Sequence, residues 1–190
     1  MRVIAGTYRS RLLQAPRGME TRPTSDRLRE TLFNILAARV PGCRFVDLYA
    51  GTGAVGIEAI SRGAEHVWLA EKAPAAVSCL RANMTALQIV QGFTVEDRGT
   101  GAMLERLLKF SLAVDLVFLD PPYESAKEYE GTLGFFGSQR GKATLAAGAL
   151  VVAEHGSKVG LAERYGALER TRAMKQGDAA LSFFGVSVAE

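Results

Sequence analysis

The chain has 190 residues, 48% of them hydrophobic and 23% charged, with a formal net charge of +3 at pH 7. That length and apolar share fit one domain with a small appendage, and exclude intrinsic disorder and two full domains. The longest uncharged run, Ala82 to Val95, includes Asn83, Gln88 and Gln91 and falls short of the roughly 20 apolar residues a membrane span needs, while Met1 to Arg9 lacks a secretory apolar stretch. Cys43 and Cys79 have no His or Cys at metal spacing, so the expectation is a cytoplasmic, monomeric protein with no membrane partner, no disulfide framework and no metal.

Residues 1 to 29 carry seven arginines, Arg2, Arg9, Arg11, Arg17, Arg22, Arg27 and Arg29, against Glu20 and Asp26, so the basic charge is concentrated at one end. Such a block suits phosphate groups, because arginine offers a rigid fork of donors, and it also suits a solvated face. Arg2 to Ala5 and Arg11 to Gln14 read as short extended pieces around the Gly6-Thr7 turn signal, a small hairpin. Pro16, Gly18 and Pro23 break the chain, and Thr24 or Ser25 then caps a helix whose apolar stripe is Leu28, Leu32, Ile35 and Leu36, ending near Pro41-Gly42.

From Phe45 onward, short apolar runs alternate with helical stretches. Strands are predicted at Phe45 to Tyr49, His66 to Ala70, Phe93 to Glu96, Val114 to Leu119 and Ala149 to Glu154, and helices at Ala54 to Arg62, Pro74 to Leu87 and Ala102 to Phe110. Leu161 to Arg170 carries no clear pattern, and Leu181 to Val188 reads as a final strand. This alternation predicts an open doubly wound, mostly parallel α/β sheet, with residues 1–23 as a basic β-hairpin extension and 24–190 as the main domain.

Asp47-Leu48-Tyr49-Ala50-Gly51-Thr52-Gly53-Ala54-Val55-Gly56 sets glycines directly after a predicted strand and at the opening of a helix. Glycine there lets the backbone turn tightly and approach a nucleotide-type ligand. Glu71, at the end of the next strand, can accept both hydroxyls of a ribose. An adenosine-containing cofactor follows, with a nicotinamide dinucleotide and S-adenosylmethionine both admissible. Asp47 favours S-adenosylmethionine, because a carboxylate just upstream of the turn repels a pyrophosphate and pairs with an ammonium group.

Val114 to Leu119 leads into Asp120-Pro121-Pro122-Tyr123, a strand that stops in a rigid turn. Two prolines fix φ and cannot donate, so the carbonyls around them hold set directions at the strand's carboxyl end, where α/β sheets bind ligands. The Asp120 carboxylate and the Pro121 carbonyl can accept the two hydrogens of a planar amino group, and Tyr123 offers a face on which a base can stack. Accepting those N–H bonds in a dry site favours a pyramidal nitrogen and stabilises positive charge during attack on a sulfonium methyl. No strong base or metal is needed. His66 and His155 flank strands without an evident partner and read as structural.

Taken together, Asp47 to Gly56 and Asp120 to Tyr123 resemble the Rossmann-like class I S-adenosylmethionine-dependent methyltransferases that act on exocyclic amino groups. More specifically, Thr21 to Leu36, preceded by Arg2-Val3-Ile4-Ala5-Gly6 and joined by Ala59 to Ala64 and Asn83, is similar to the bacterial small-subunit ribosomal RNA guanine-N2 methyltransferases. The resemblance implies a seven-stranded sheet with its last strand antiparallel, and a guanine in small-subunit RNA, naked or in a partly assembled subunit, as substrate. It assigns Gly51, Gly53 and Glu71 to the cofactor, beside Asp47 and with Asp97 as a candidate, and Asp120, Pro121 and Tyr123, with Pro122 between them, to the target amine. Arg22, Arg27 and Arg29 fall to the RNA. Two departures stand out: Glu96-Asp97 leaves the adenine contact ambiguous, and an aromatic-glycine pair is replaced by Gln176-Gly177. The competing readings are a DNA adenine-N6 or cytosine-N4 methyltransferase, a nicotinamide-dependent oxidoreductase, and a non-enzymatic RNA-binding module. Against the DNA reading, Glu124 to Lys142 is short for a recognition region.

Overall fold

Residues 1–15, 26–122 and 126–187 are described by the computed structural model, which falls into two units, Met1–Thr100 and Gly101–Glu190. Arg22, Tyr123 and the predicted caps Thr24 and Ser25 lie outside the described residues.

In the first unit the predicted hairpin is present: Arg2 bridges Leu12 in antiparallel sense, and the Val3 N–H donates to the Arg11 carbonyl at 2.9 Å. Helix α1 (Asp26–Ile35) buries Leu28 and Leu32 as its stripe predicts, with Phe33 added, and stops at Ile35 well before Pro41. Strand β1 (Arg44–Leu48), helix α2 (Ala54–Ser61), strand β2 (His66–Ala70), helix α3 (Pro74–Ala86) and strand β3 (Phe93–Glu96) follow the predicted alternation. β1 and β3 pair in parallel with β2 on either side, and four consecutive residues of β1 and of β2 are buried, as befits strands covered on both faces. Pro74 occupies the first turn of α3, where its missing N–H goes unused.

The N-terminal segment is fastened to α2 by polar groups. The fully buried Glu58 carboxylate accepts the Ile4 and Ala5 N–H groups at 2.7 and 3.0 Å and the Arg62 guanidinium at 2.7 Å. One helical turn on, the Ser61 hydroxyl donates to the Ala5 carbonyl at 2.5 Å and accepts the Tyr8 N–H at 3.0 Å. A β-carbon on Gly6 would lie 1.8 Å from the Ser61 carbonyl oxygen, so only glycine lets the hairpin approach this closely.

In the second unit, helix α4 (Thr100–Lys109, entering from the first unit) precedes strand β4 (Val114–Leu119), helices α5 (Ala126–Gly137) and α6 (Gln139–Lys142), and strands β5 (Leu145–Gly156), β6 (Arg164–Tyr165), β7 (Leu168–Gln176) and β8 (Ala179–Val186). The strand order is β4-β5-β8-β7-β6, with β4 and β5 parallel and the rest antiparallel. The last strand is antiparallel, as expected. Eight strands are seen among the described residues where seven were expected, because Arg164 and Tyr165 pair with the start of β7 as a two-residue edge. Among the described residues, no helix is long and apolar enough to cross a membrane.

Glu58→Ala leaves two backbone donors and a guanidinium without their acceptor and is expected to destabilise the protein by about 3 kcal/mol, read as a lower urea midpoint in equilibrium unfolding.

Candidate functional site

The turn from β1 into α2 gathers three positive-φ residues within five positions. Tyr49, Gly51 and Gly53 all take positive φ, at 66°, 54° and 81°, and Gly53 sits as the N-terminal cap of α2. Glycine carries this conformation at no steric cost, whereas Tyr49 holds it against its own side chain. Gly56 answers a different need, since a β-carbon there would lie 2.5 Å from a Leu69 methyl, and its absence lets α2 lie against β2.

Two carboxylates and a carbonyl take up the N–H groups of this turn. Glu71 accepts the Gly51 N–H at 2.9 Å through one oxygen, and the Lys72 and Ala73 N–H groups, each at 2.8 Å, through the other. The Ala50 carbonyl accepts the Gly53 N–H at 2.7 Å. Asp47, buried within β1, accepts the Gly56 N–H at 2.8 Å. Burial raises the Asp47 pKa to about 7; the bond from Gly56 opposes the rise and the Glu71 charge adds to it. A Gly51 N–H already given to a carboxylate is not an open seat for a phosphate. A turn edged by Asp47 and Glu71 suits a ligand that brings hydroxyls and a positive charge.

Beyond Glu71, a hollow of about 400 Å³ is lined by Lys72, Pro74, Val77, Ser78, Arg81 and Asp97. Asp97 sits in it half exposed and accepts the Arg81 guanidinium at 2.9 Å. The neighbouring Glu96 side chain is buried against Arg98, and its carbonyl accepts the Glu71 N–H at 3.1 Å. Of the two acidic residues after β3, the structure sets Asp97 in the hollow.

The basic residues separate. Arg27 is exposed on α1. Arg29 is 0% exposed, donating to the Arg2 carbonyl and to Asp26, and burial lowers its pKa against the opposing charges of Asp26 and Glu58. It lies inside the unit, tying α1 to the hairpin, and does not form part of an RNA-facing surface. Helical spacing puts Arg29 on the same side as Phe33, the side that packs inward.

In the second unit, β4 runs out at Leu119 into Asp120, which is partly exposed, then the buried Pro121 and the exposed Pro122. The Tyr129 hydroxyl, on α5, donates to the Glu154 carbonyl at 2.9 Å and lies 3.5 Å from the Pro121 carbonyl. It bonds β5 and reaches the carbonyl just past the end of β4, and carbonyls are groups by which a proline backbone without N–H can be held. Sequence reading missed this residue, although Tyr129, Leu133 and Phe136 stand at helical spacing. His66 bonds Thr94 at 2.9 Å, and His155 bridges the Gly156 carbonyl and the Ser182 hydroxyl, both within the fold. Gln176 ends β7, and Gly177 and Asp178 form the turn into β8.

The family described as "Conserved hypothetical protein 95" matches residues 1–185 of the chain. The chain is 34% identical over 172 residues to "Putative rRNA methyltransferase YlbH" of Bacillus subtilis, covering 90% of this chain and 91% of that one. It is 35% identical over 123 residues to "Ribosomal RNA small subunit methyltransferase D" of Escherichia coli, covering 65% of this chain and 60% of that one. Among solved structures, "Putative methyltransferase yhhF" from Escherichia coli superposes with a TM-score of 0.81 at 31% identity, over 98% of this chain and 97% of that one.

The Asp47 carboxyl holds a proton in the folded chain, to about pH 7, that the unfolded chain releases near 3.8. Asp47 therefore costs no stability below that lower value, and costs progressively more as pH rises towards 7, on the order of 4 kcal/mol across the window. Asp47→Asn, which keeps an acceptor for the Gly56 N–H, is expected to flatten this fall when unfolding free energies of both proteins are compared between pH 4 and 8.

Proposed function

The chain belongs to the family described as conserved hypothetical protein 95, with the fold of the Rossmann-like methyltransferases, and on that premise we propose that it is an S-adenosylmethionine-dependent ribosomal RNA methyltransferase. Its methyl acceptor is the exocyclic N2 amino group of a guanine in small-subunit RNA. The observation that carries this reading is the scarcity of donors at Asp120-Pro121-Pro122. A carboxylate and a carbonyl stand at the carboxyl end of a buried strand, next to two residues that have no N–H to offer. Such a turn receives a group that brings only donors, and an exocyclic amine is that group.

The cofactor falls to the β1–α2 turn. Gly51 and Gly53 allow close approach, Glu71 stands where ribose hydroxyls can be accepted, Asp47 offers a buried carboxyl that a neighbouring ammonium would draw to its charged form, and Asp97 lines the adjoining hollow. When bound, S-adenosylmethionine supplies an electrophilic methyl on a sulfonium. The Asp120 carboxylate and the Pro121 carbonyl accept the two amine hydrogens, draw the nitrogen out of the plane of the ring and turn its lone pair outward. As positive charge develops on the nitrogen, the Asp120 carboxylate lies against it and can take the proton that leaves. The Tyr129 hydroxyl lies 3.5 Å from the Pro121 carbonyl, and the stacking face for the guanine is assigned to Tyr123. Arg27, together with Arg2, Arg9 and Arg11 on the hairpin, gives an exposed basic surface for RNA phosphates, with Arg22 beside it in sequence.

The relatives' names support ribosomal RNA as the polymer, and the signature at Thr21 to Leu36 supports guanine within it. The test is nucleoside mass spectrometry after incubation with isotopically labelled S-adenosylmethionine and, in parallel, unmodified small-subunit RNA, the assembled small subunit, and DNA. Labelled N2-methylguanosine is expected in one of the RNA arms. Label in methyladenine or methylcytosine of the DNA, or none anywhere, overturns the reading. Asp120→Ala is expected to slow transfer by about a hundredfold or more while S-adenosylmethionine binding, followed calorimetrically, persists.

A further inference from the structure

Asn83, on α3, is 1% exposed, and its amide makes contacts in two directions. On one side it treats Gln14 as a strand would, accepting the Gln14 N–H at 2.7 Å and donating to the Gln14 carbonyl at 3.2 Å, a carbonyl that the Cys79 thiol also meets at 3.2 Å. On the other side the same amide nitrogen donates to the Thr52 carbonyl at 3.1 Å.

Thr52 stands between Gly51 and Gly53, both at positive φ, and a peptide flanked by glycines has little of its own to stop it from flipping. Here the peptide that joins Thr52 to Gly53 is held at both ends, its carbonyl by Asn83 and its N–H by the Ala50 carbonyl at 2.7 Å. One buried side chain thus fixes the middle of the candidate cofactor turn and the end of the N-terminal hairpin, which are 38 residues apart in sequence.

Resting on the cofactor reading above, we infer that Asn83 is a positioning residue that couples the β1–α2 turn to the N-terminal hairpin, so that S-adenosylmethionine binding and the hairpin's attachment strengthen one another. A rigid turn is a shared requirement. Ligand contacts that hold the Thr52 peptide in place keep the Asn83 amide aligned for Gln14, and the Gln14 bonds keep it aligned for Thr52. Coupling of this kind is reciprocal, so it can be read from either end. Its consequence for the proposed reaction is that cofactor occupancy steadies the segment bearing the exposed Arg2, Arg9 and Arg11.

The test uses the full chain. Calorimetry gives the S-adenosylmethionine affinity of wild type, Gln14→Pro, which removes the backbone donor to Asn83 Oδ1, Asn83→Ala, and the double variant. Hydrogen exchange of residues 1–15 is followed in wild type with and without S-adenosylmethionine. The expected result is that Gln14→Pro weakens binding by about fivefold to fiftyfold, that the double variant binds no worse than Asn83→Ala, and that the cofactor slows exchange in the hairpin. Wild-type affinity in Gln14→Pro, additive losses in the double variant, or exchange indifferent to the cofactor each overturn the coupling. The exchange comparison needs no variant, so it decides the matter even where a substitution prevents folding. Wild type that binds no S-adenosylmethionine at all overturns the cofactor reading itself, and the coupling with it.

Discussion

A strand that passes directly into a helix leaves backbone donors without partners, and here the bonding of those donors governs what the first unit can do. Around the β1–α2 turn, the Gly51 N–H goes to Glu71, the Gly53 N–H to Ala50 and the Gly56 N–H to Asp47. A phosphate-binding loop would leave such donors open to an anion. Filling two of the three with acidic side chains reverses the preference, and the same glycine spacing then serves a ligand with hydroxyls and a cationic group. The choice between the two cofactor classes therefore lies less in the glycines than in what bonds to them.

The second unit meets the opposite shortage. Pro121 and Pro122 remove two donors, so a turn meant to hold fixed carbonyls cannot be anchored by its own backbone. The anchoring comes from Tyr129, whose hydroxyl reaches the ends of both β4 and β5. Its ring packs edge-on to His155, which is itself bonded to Ser182 on β8.

How far the sequence revealed this depends on whether a feature is local. Gly51, Gly53 and the two prolines were legible because each acts through its own φ or its own missing donor. The parallel strands were legible as apolar runs, and Pro74 as a helix start. Helix α5 was passed over because its apolar residues, Tyr129, Leu133 and Phe136, are interspersed with Gly131, Gly134 and Gly137. β7 was missed because Glu169, Arg170, Arg172 and Lys175 give it no apolar alternation. Arg29 shows the limit most plainly, since one arginine among the seven of residues 1 to 29 gives no local sign that a carbonyl from Arg2 will take it inside. Asp47 was legible as an acid beside the turn, but its bond to Gly56 depends on how α2 lies across β1.

β7 has one more property that follows from its pairing. β8 covers it along its length, whereas β6 covers only Leu168 and Glu169, so from Thr171 onward its other edge has no strand partner among the described residues. A bare edge of that kind is a template for a second chain. Arg172 and Lys175 stand exposed along it, and an identical edge brought alongside would present the same positive charges. The side chains that obscured this strand in the sequence also set like charge against like charge on an identical edge.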